Sequence, residues 1–124
     1  DESALEPLVI ATVSRYPDDQ MIAALALAAP RNPRVTEHVR GMLTTAYPEV
    51  NLVAARAMGM LGSDEGYGVA MEGMKSRDAR QRQLAAMAFG AIGRMDAQDM
   101  LGKLLEDKDE DVRLAAAAAL LQLR

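Results

Sequence analysis

The residues that could do chemistry are few, and they centre on one histidine. His38 lies beside Glu37, and the chain has no cysteine. A zinc site needs several ligands close in space, and a catalytic triad needs a nucleophile, a base and an orienting acid. Neither set can be assembled around a single histidine. We therefore predict no catalytic residue and interpret His38 as a structural or exposed side chain.

Acidic side chains cluster in three places, each at or just ahead of the start of a predicted helix. The clusters are Asp18-Asp19, Asp64-Glu65 and the run from Glu106 to Asp111. Carboxylates at this position are favoured by the helix dipole, and the last run lacks the glycine and closing glutamate of a calcium loop. We predict no metal ligand and no cofactor, with a weak cation site at the last run as the alternative.

Composition narrows the class of protein. Half of the 124 residues are apolar, but only 3% are aromatic, so alanine, leucine, methionine and valine must build the core. The net charge of −4 argues against a nucleic-acid partner, which usually faces a basic patch. No apolar run is long enough to span a membrane. Because the chain begins at Asp1 without a methionine, we expect a processed product or an excised fragment, and we favour one module of a larger protein.

A repeat of 31 residues organises the whole chain. Stepping back by 31 from Ala116 gives Ala85, Ala54 and Ala23, and stepping back from Ala119 gives Ala88, Ala57 and Ala26. The residue after this second alanine is always large and apolar. The pattern divides the chain into units 1–31, 32–62, 63–93 and 94–124, which we treat as one domain.

Each unit predicts two helices joined by a tight turn. The apolar spacing of i, i+4, i+7 and i+8 marks one helical face. First helices are predicted at 3–15, 33–46, 64–76 and 96–106, and second helices at 18–29, 48–61, 78–92 and 110–123. The small alanine columns, with Gly59 and Gly90 in a further column, predict that neighbouring second helices pack closely.

The segment from Asp107 to Leu123 resembles a HEAT-like repeat, most closely the short variety of phycobilisome lyases. It carries Asp-Val-Arg at 111–113, followed by Ala116, Ala119, Leu120 and Leu123. The resemblance implies an all-α fold, an α-solenoid of four helical hairpins. It also implies turn pairs that form a ladder between units: Asp78 with Arg82, and Asp109 with Arg113. The first two units have no such pair at the equivalent positions.

The surface lined by the second helices is the candidate binding site. Its columns are more apolar than a solvated face requires, which favours a groove for a partner's helix or peptide, although packing between second helices is an equal alternative. The candidate partner-binding residues are Met21, Leu25, Leu52, Arg56, Gln83, Met87 and Leu114. Methionine offers an adaptable surface, and Arg56 is the expected anchor.

The favoured function is therefore a non-enzymatic scaffold that binds a protein or peptide, in a bacterial protein, without nucleic acid. The alternative is an accessory subunit of a bilin-lyase-like enzyme, and a weaker one is a HEAT-like enzyme acting on nucleic acid. The last helix keeps exposed-looking leucines and no polar cap follows it. We therefore expect that the array continues past Arg124, or that this end associates with another molecule, including a second copy.

Overall fold

A computed structural model describes residues 5–12 and 14–124, and over these residues the chain is helical, without β-strands. The helices come in pairs, each a short first helix followed by a longer second helix. The first helices are α1 (Leu5–Ala11), α3 (Thr36–Arg40), α5 (Tyr67–Met74) and α7 (Gln98–Leu104). The second helices are α2 (Pro17–Ala28), α4 (Pro48–Met60), α6 (Ala79–Ile92) and α8 (Glu110–Leu120).

The first helices are shorter than the periodicity predicts. The helix predicted over 33–46 is α-helical only in α3, with 3₁₀ turns at Pro33–Val35 and Gly41–Thr44. Glycine is a weak helix former, which is consistent with α3 ending at Arg40, just before Gly41. Residues 3, 4 and 13 of the first predicted helix lie outside the described residues. The last helix ends at Leu120, three residues early, because the chain then turns and the Arg124 N–H donates to Gly93 O (2.8 Å).

One hydrogen-bonded turn recurs between the helices of every pair. A side chain at the start of the second helix donates to the carbonyl oxygen six residues earlier. These bonds are Gln20 to Ser14 (2.7 Å), Asn51 to Thr45 (3.1 Å), Arg82 to Ser76 (3.0 Å) and Arg113 to Asp107 (2.8 Å). In the first two units, where no Asp–Arg turn pair is expected, an amide side chain makes the bond to the carbonyl oxygen in place of arginine.

The accepting residue of each turn also holds the start of the second helix. Its side-chain oxygen receives the backbone N–H two residues further on, at 3.0–3.1 Å in all four units. Proline follows in α2 and α4, at the first helical turn, where its missing N–H costs nothing. Every second helix therefore leaves its turn in the same way, which gives the units a common geometry.

The core lies between successive second helices, where α2, α4, α6 and α8 contact one another in order. The predicted alanine columns are confirmed as packing positions: Ala54, Ala85 and Ala116 are fully buried. Ala26 is the exception and is half-buried. The large apolar column fills the space beside them with Leu27, Met58 and Phe89, all fully buried.

Glycine allows the closest approach between units. A Cβ placed on Gly59 of α4 would lie 2.7 Å from the backbone carbon of Ala91 and the nitrogen of Ile92 in the next unit. A Cβ on Gly90 of α6 would lie 2.9 Å from the Cα atom of Ala119. Both distances are too short for any side chain, so the glycine column of the sequence is a requirement of packing.

Candidate partner-binding groove

A groove of about 1030 Å³ runs across α4, α6 and α8 on the side of the second helices. Its lining includes apolar side chains, here called the floor, among them Met60, Met87 and Leu114. The charged residues of the lining are Arg31, Arg56, Asp111 and Arg124. Because residues of all four units contribute to it, the groove exists only when the units are stacked.

Four of the seven predicted binding residues line this groove: Arg56, Gln83, Met87 and Leu114. Met21 and Leu25 do not line it; both are half-buried and pack against the core. All four residues that line it belong to the last three units. The first unit contributes Arg31, from the turn after α2, instead of the two predicted apolar residues.

Leu52 is buried and does not line the groove, so the prediction that it lies on the exposed binding surface is wrong. It is only 2% exposed. A Cβ on Gly73 of α5 would lie 2.5 Å from Leu52 Cδ2, so α5 of the next unit covers this side chain. The same column is exposed at Leu114 (61%), where no described helix follows. The same column is half-buried at Met21 and Gln83, so exposure in this column differs from one unit to the next.

The sequence reasoning missed two of the three arginines of the groove. Arg31 and Arg124 occupy the same column as Gly62 and Gly93, 31 residues apart, at the end of each second helix. Glycine at two of the four positions is typical of a helix end, which explains why the column does not stand out as a binding position. Together with Arg56 they place three guanidinium groups around one apolar floor.

These three arginines are not neutralised by the described part of the chain. None of them forms an ion pair with any residue in 5–12 or 14–124, whereas Arg40, Arg80, Arg82 and Arg94 all do. Asp111 is the carboxylate among the groove-lining residues. The groove therefore has an excess of positive charge in a chain whose net charge is −4.

Arg31 adopts a backbone conformation that favours glycine. Its φ is 58°, and it is the one non-glycine residue with positive φ among the described residues. The equivalent Gly62 and Gly93 have φ of 86° and 78°. A non-glycine residue in the left-handed region costs about 1–2 kcal/mol, so the arginine is kept there against a local preference for glycine.

The structure corrects the partners of the predicted turn pairs. Asp78 and Asp109 do not pair with Arg82 and Arg113; they cap their own helices by accepting from Arg80 N (2.9 Å) and Val112 N (3.1 Å). Arg82 instead forms a two-pronged ion pair with Asp107 of the next unit, at 2.8 and 3.1 Å. A link between units therefore exists, but a different carboxylate makes it.

This ion pair changes the protonation of both partners. The hydrogen bond from Arg82 lowers the pKa of Asp107 below its ordinary value, against the opposing effect of burial. The hydrogen bond to Asp107 likewise raises the pKa of Arg82. Both side chains are only 10% exposed, so the pair is a structural contact between units rather than a surface ion pair.

The described residues contain no group of three or more metal-binding side chains, and His38 is exposed on α3. In the part of the chain that the structure describes, none of the helices has the length and apolarity to cross a membrane. A surface between stacked helices is therefore the candidate site that the geometry offers.

The stacked helical pairs and the groove along their second helices define the class: an α-solenoid built as a repeat scaffold. Residues 69–124 match the family model described as HEAT repeats, which confirms the resemblance for that segment. A comparison with curated proteins gave no match.

Among solved structures, the chain is similar to an engineered protein determined as a crystal structure by the Northeast Structural Genomics Consortium. The TM-score is 0.65 at 26% sequence identity, over 96% of this chain. The alignment covers 62% of the engineered protein, so the chain spans less than two thirds of its length. This likeness supports the α-solenoid fold.

Proposed function

We propose that this protein is a non-enzymatic interaction module whose groove binds an acidic peptide segment of a partner protein. The segment would carry carboxylates spaced to meet Arg31, Arg56 and Arg124, and at least one apolar side chain to fill the floor. The observation that carries the proposal is the set of three arginines without ion-pair partners among the described residues, around one apolar groove.

The floor supports an apolar anchor. Met60 and Met87 line the groove and are half-buried. Methionine is unbranched and polarizable, so it adapts to different apolar groups. Burying one leucine-sized side chain on this floor would contribute about 1.5–3 kcal/mol, and arginine–carboxylate contacts at the edges would fix the orientation of the peptide.

The strained backbone at Arg31 supports a role for its side chain. Glycine at this position would be favoured for stability, as Gly62 and Gly93 show. Backbone strain of this kind concentrates at functional sites. An arginine that costs stability and lines the groove is consistent with selection for its guanidinium group.

Selection from a random peptide library on the immobilised protein tests this proposal. We expect enriched peptides to combine several Asp or Glu residues with a large apolar residue, and to bind more weakly as salt increases. Arg56→Glu should abolish their binding. Arg77→Glu is the matched control, because Arg77 is exposed and does not line the groove. Enrichment of basic peptides, or equal binding to both variants, would refute the proposal.

The accessory bilin-lyase role stays an alternative from a different class. An absorbance titration of the protein with a bilin would test it, since a bound tetrapyrrole changes its spectrum. Repeat scaffolds of this kind are typically non-catalytic, so we place this role second.

A further inference from the structure

The outer face of α8 carries three side chains that no described residue covers. Leu114 is 61% exposed, Leu121 is 89% exposed, and Ala117 between them is exposed. The equivalent residues of α4, 62 positions earlier, are Leu52, Ala55 and Gly59. The next unit covers all three.

The contacts of α4 show what this face does inside the array. Leu52 meets Gly73, Ala55 meets Gly66, and Gly59 meets the backbone of Ala91 and Ile92. These contacts join α4 to the first and second helices of the following unit. The same stripe on α8 therefore corresponds to a packing face of the inner unit, although no described residue covers it.

A further unit cannot cover this face in the geometry that the inner units use. Stacking in that geometry leaves no room for a Cβ atom at Gly59 (2.7 Å from backbone atoms) or Gly90 (2.9 Å). Leu121 occupies the same column on α8 and brings four side-chain carbons to this point. Backbone atoms cannot move aside as a flexible side chain can, so the regular stack is blocked at Leu121.

The stripe has the spacing of a helix–helix seam and is complementary to itself. Glu110, Leu114, Ala117 and Leu121 follow one another at intervals of four, three and four residues, the spacing of a seam between two paired helices. Leu121 keeps helical backbone angles, with φ −70° and ψ −16°. In an antiparallel pair of two α8 helices with the axis beside Ala117, between Ala117 and Ala118, each Leu114 lies opposite Leu121 of the other copy.

Small side chains and charges agree with this arrangement. Ala117 beside the axis lets two backbones approach closely, as the other alanines of this fold do. The amino end of α8 carries Glu110 and Asp111, while Arg124 follows its carboxyl end. The antiparallel pairing brings the acidic end of each helix towards the basic end of the other. It also places the two helix dipoles in opposite directions, which is electrostatically favourable.

We propose that two copies of this chain form a symmetric dimer through α8, with the two-fold axis beside Ala117. The interface is isologous, so each contact occurs twice. Its surface overlaps the peptide-binding groove, because Leu114 and Leu121 line both, so dimerisation and peptide binding would compete. Ala117 itself does not line the groove, so variants at Ala117 test the dimer without replacing a groove residue.

Sedimentation equilibrium of the 124-residue chain from micromolar to near-millimolar concentration tests this proposal. We expect a monomer–dimer equilibrium whose dissociation constant rises at least about tenfold in Ala117→Glu. Glutamate is a good helix former and Ala117 is exposed, so the variant should fold; its circular dichroism checks this. Ala29→Glu is the matched control, because Ala29 is also exposed but lies at the end of α2.

A cysteine scan gives a second, independent readout, because the chain has no cysteine of its own. Ala117→Cys places two thiols beside the axis, within reach of a disulfide, whereas Ala29→Cys does not. We expect an oxidised covalent dimer for the first variant and a monomer for the second. A monomer at every concentration, a dimer that Ala117→Glu leaves unchanged, or equal cross-linking of the two cysteine variants would each overturn the proposal.

Discussion

Arg82 of α6 and Asp107, in the turn before α8, form a two-pronged ion pair that joins the third unit to the fourth. The Nε–Oδ2 distance is 2.8 Å and the Nη2–Oδ1 distance is 3.1 Å. Asp107 also accepts the N–H of Asp109 with its side chain and a bond from Arg113 with its carbonyl oxygen. Asp107 thus stabilises its own turn and also binds α6 of the preceding unit through Arg82.

Loss of the Asp107 charge should destabilise the array. Asp107→Asn keeps the shape of the side chain but leaves the Arg82 guanidinium without its carboxylate in a site where both side chains are 10% exposed. We expect the free energy of unfolding to fall by about 1–3 kcal/mol. Urea denaturation measures this. Glu65→Gln is the control, since Glu65 and its partner Arg40 are 43% and 44% exposed. If Glu65→Gln lost as much stability as Asp107→Asn, the special role of Asp107 would be contradicted.

The same pair predicts how stability depends on pH. The hydrogen bond from Arg82 lowers the pKa of Asp107 in the folded state, so the carboxylate contributes stability above its unfolded pKa of about 3.9. This contribution is lost as pH falls through the lower, folded pKa. The stability difference between wild type and Asp107→Asn should therefore be full at neutral pH and shrink in acid. A difference that stayed constant from about pH 5 to about pH 2 would count against the assignment.

Replacement by alanine should lower stability at Gly59 and raise it at Gly102. Gly59→Ala puts a Cβ 2.7 Å from backbone atoms of the next unit, and we expect a loss of about 1–3 kcal/mol through overpacking. Gly102 of α7 has open space around its Cα, so Gly102→Ala should gain about 0.5–1 kcal/mol from helix propensity alone. Thermal unfolding of the two variants tests the contrast, and a gain for both would mean that the units stack less closely than the structure indicates.

Replacing Arg31 with glycine should raise stability and weaken peptide binding. Arg31→Gly relieves a left-handed backbone and should raise the free energy of unfolding by about 0.5–1 kcal/mol. The same change removes one of three groove arginines, so the peptides selected on the parent protein should bind more weakly. Calorimetric titration and urea denaturation of the one variant give both numbers. Unchanged peptide affinity would remove Arg31 from the site.

The repeat made the helical pairs and the alanine columns predictable, because buried small residues recur at a fixed spacing. The pairing of Arg82 with Asp107 was not predictable in the same way. The residues equivalent to Asp107 in the first three units are Ser14, Thr45 and Ser76, which are typical of a helix cap and cannot form an ion pair. Leu52 was misplaced because one column is buried in an inner unit and exposed in the last. Arg31 and Arg124 were missed because their column also holds helix-stopping glycines.

Methyl NMR of the methionines tests the peptide-binding groove most directly. The chain has nine methionines, and Met60 and Met87 line the groove, whereas Met42 and Met58 are in the core. During titration with a selected acidic peptide, the Met60 and Met87 signals should shift and those of Met71 and Met100, on the first helices, should stay in place. Shifts at Met71 and Met100 without a change at Met60 and Met87 would show that the peptide binds elsewhere and would contradict the account.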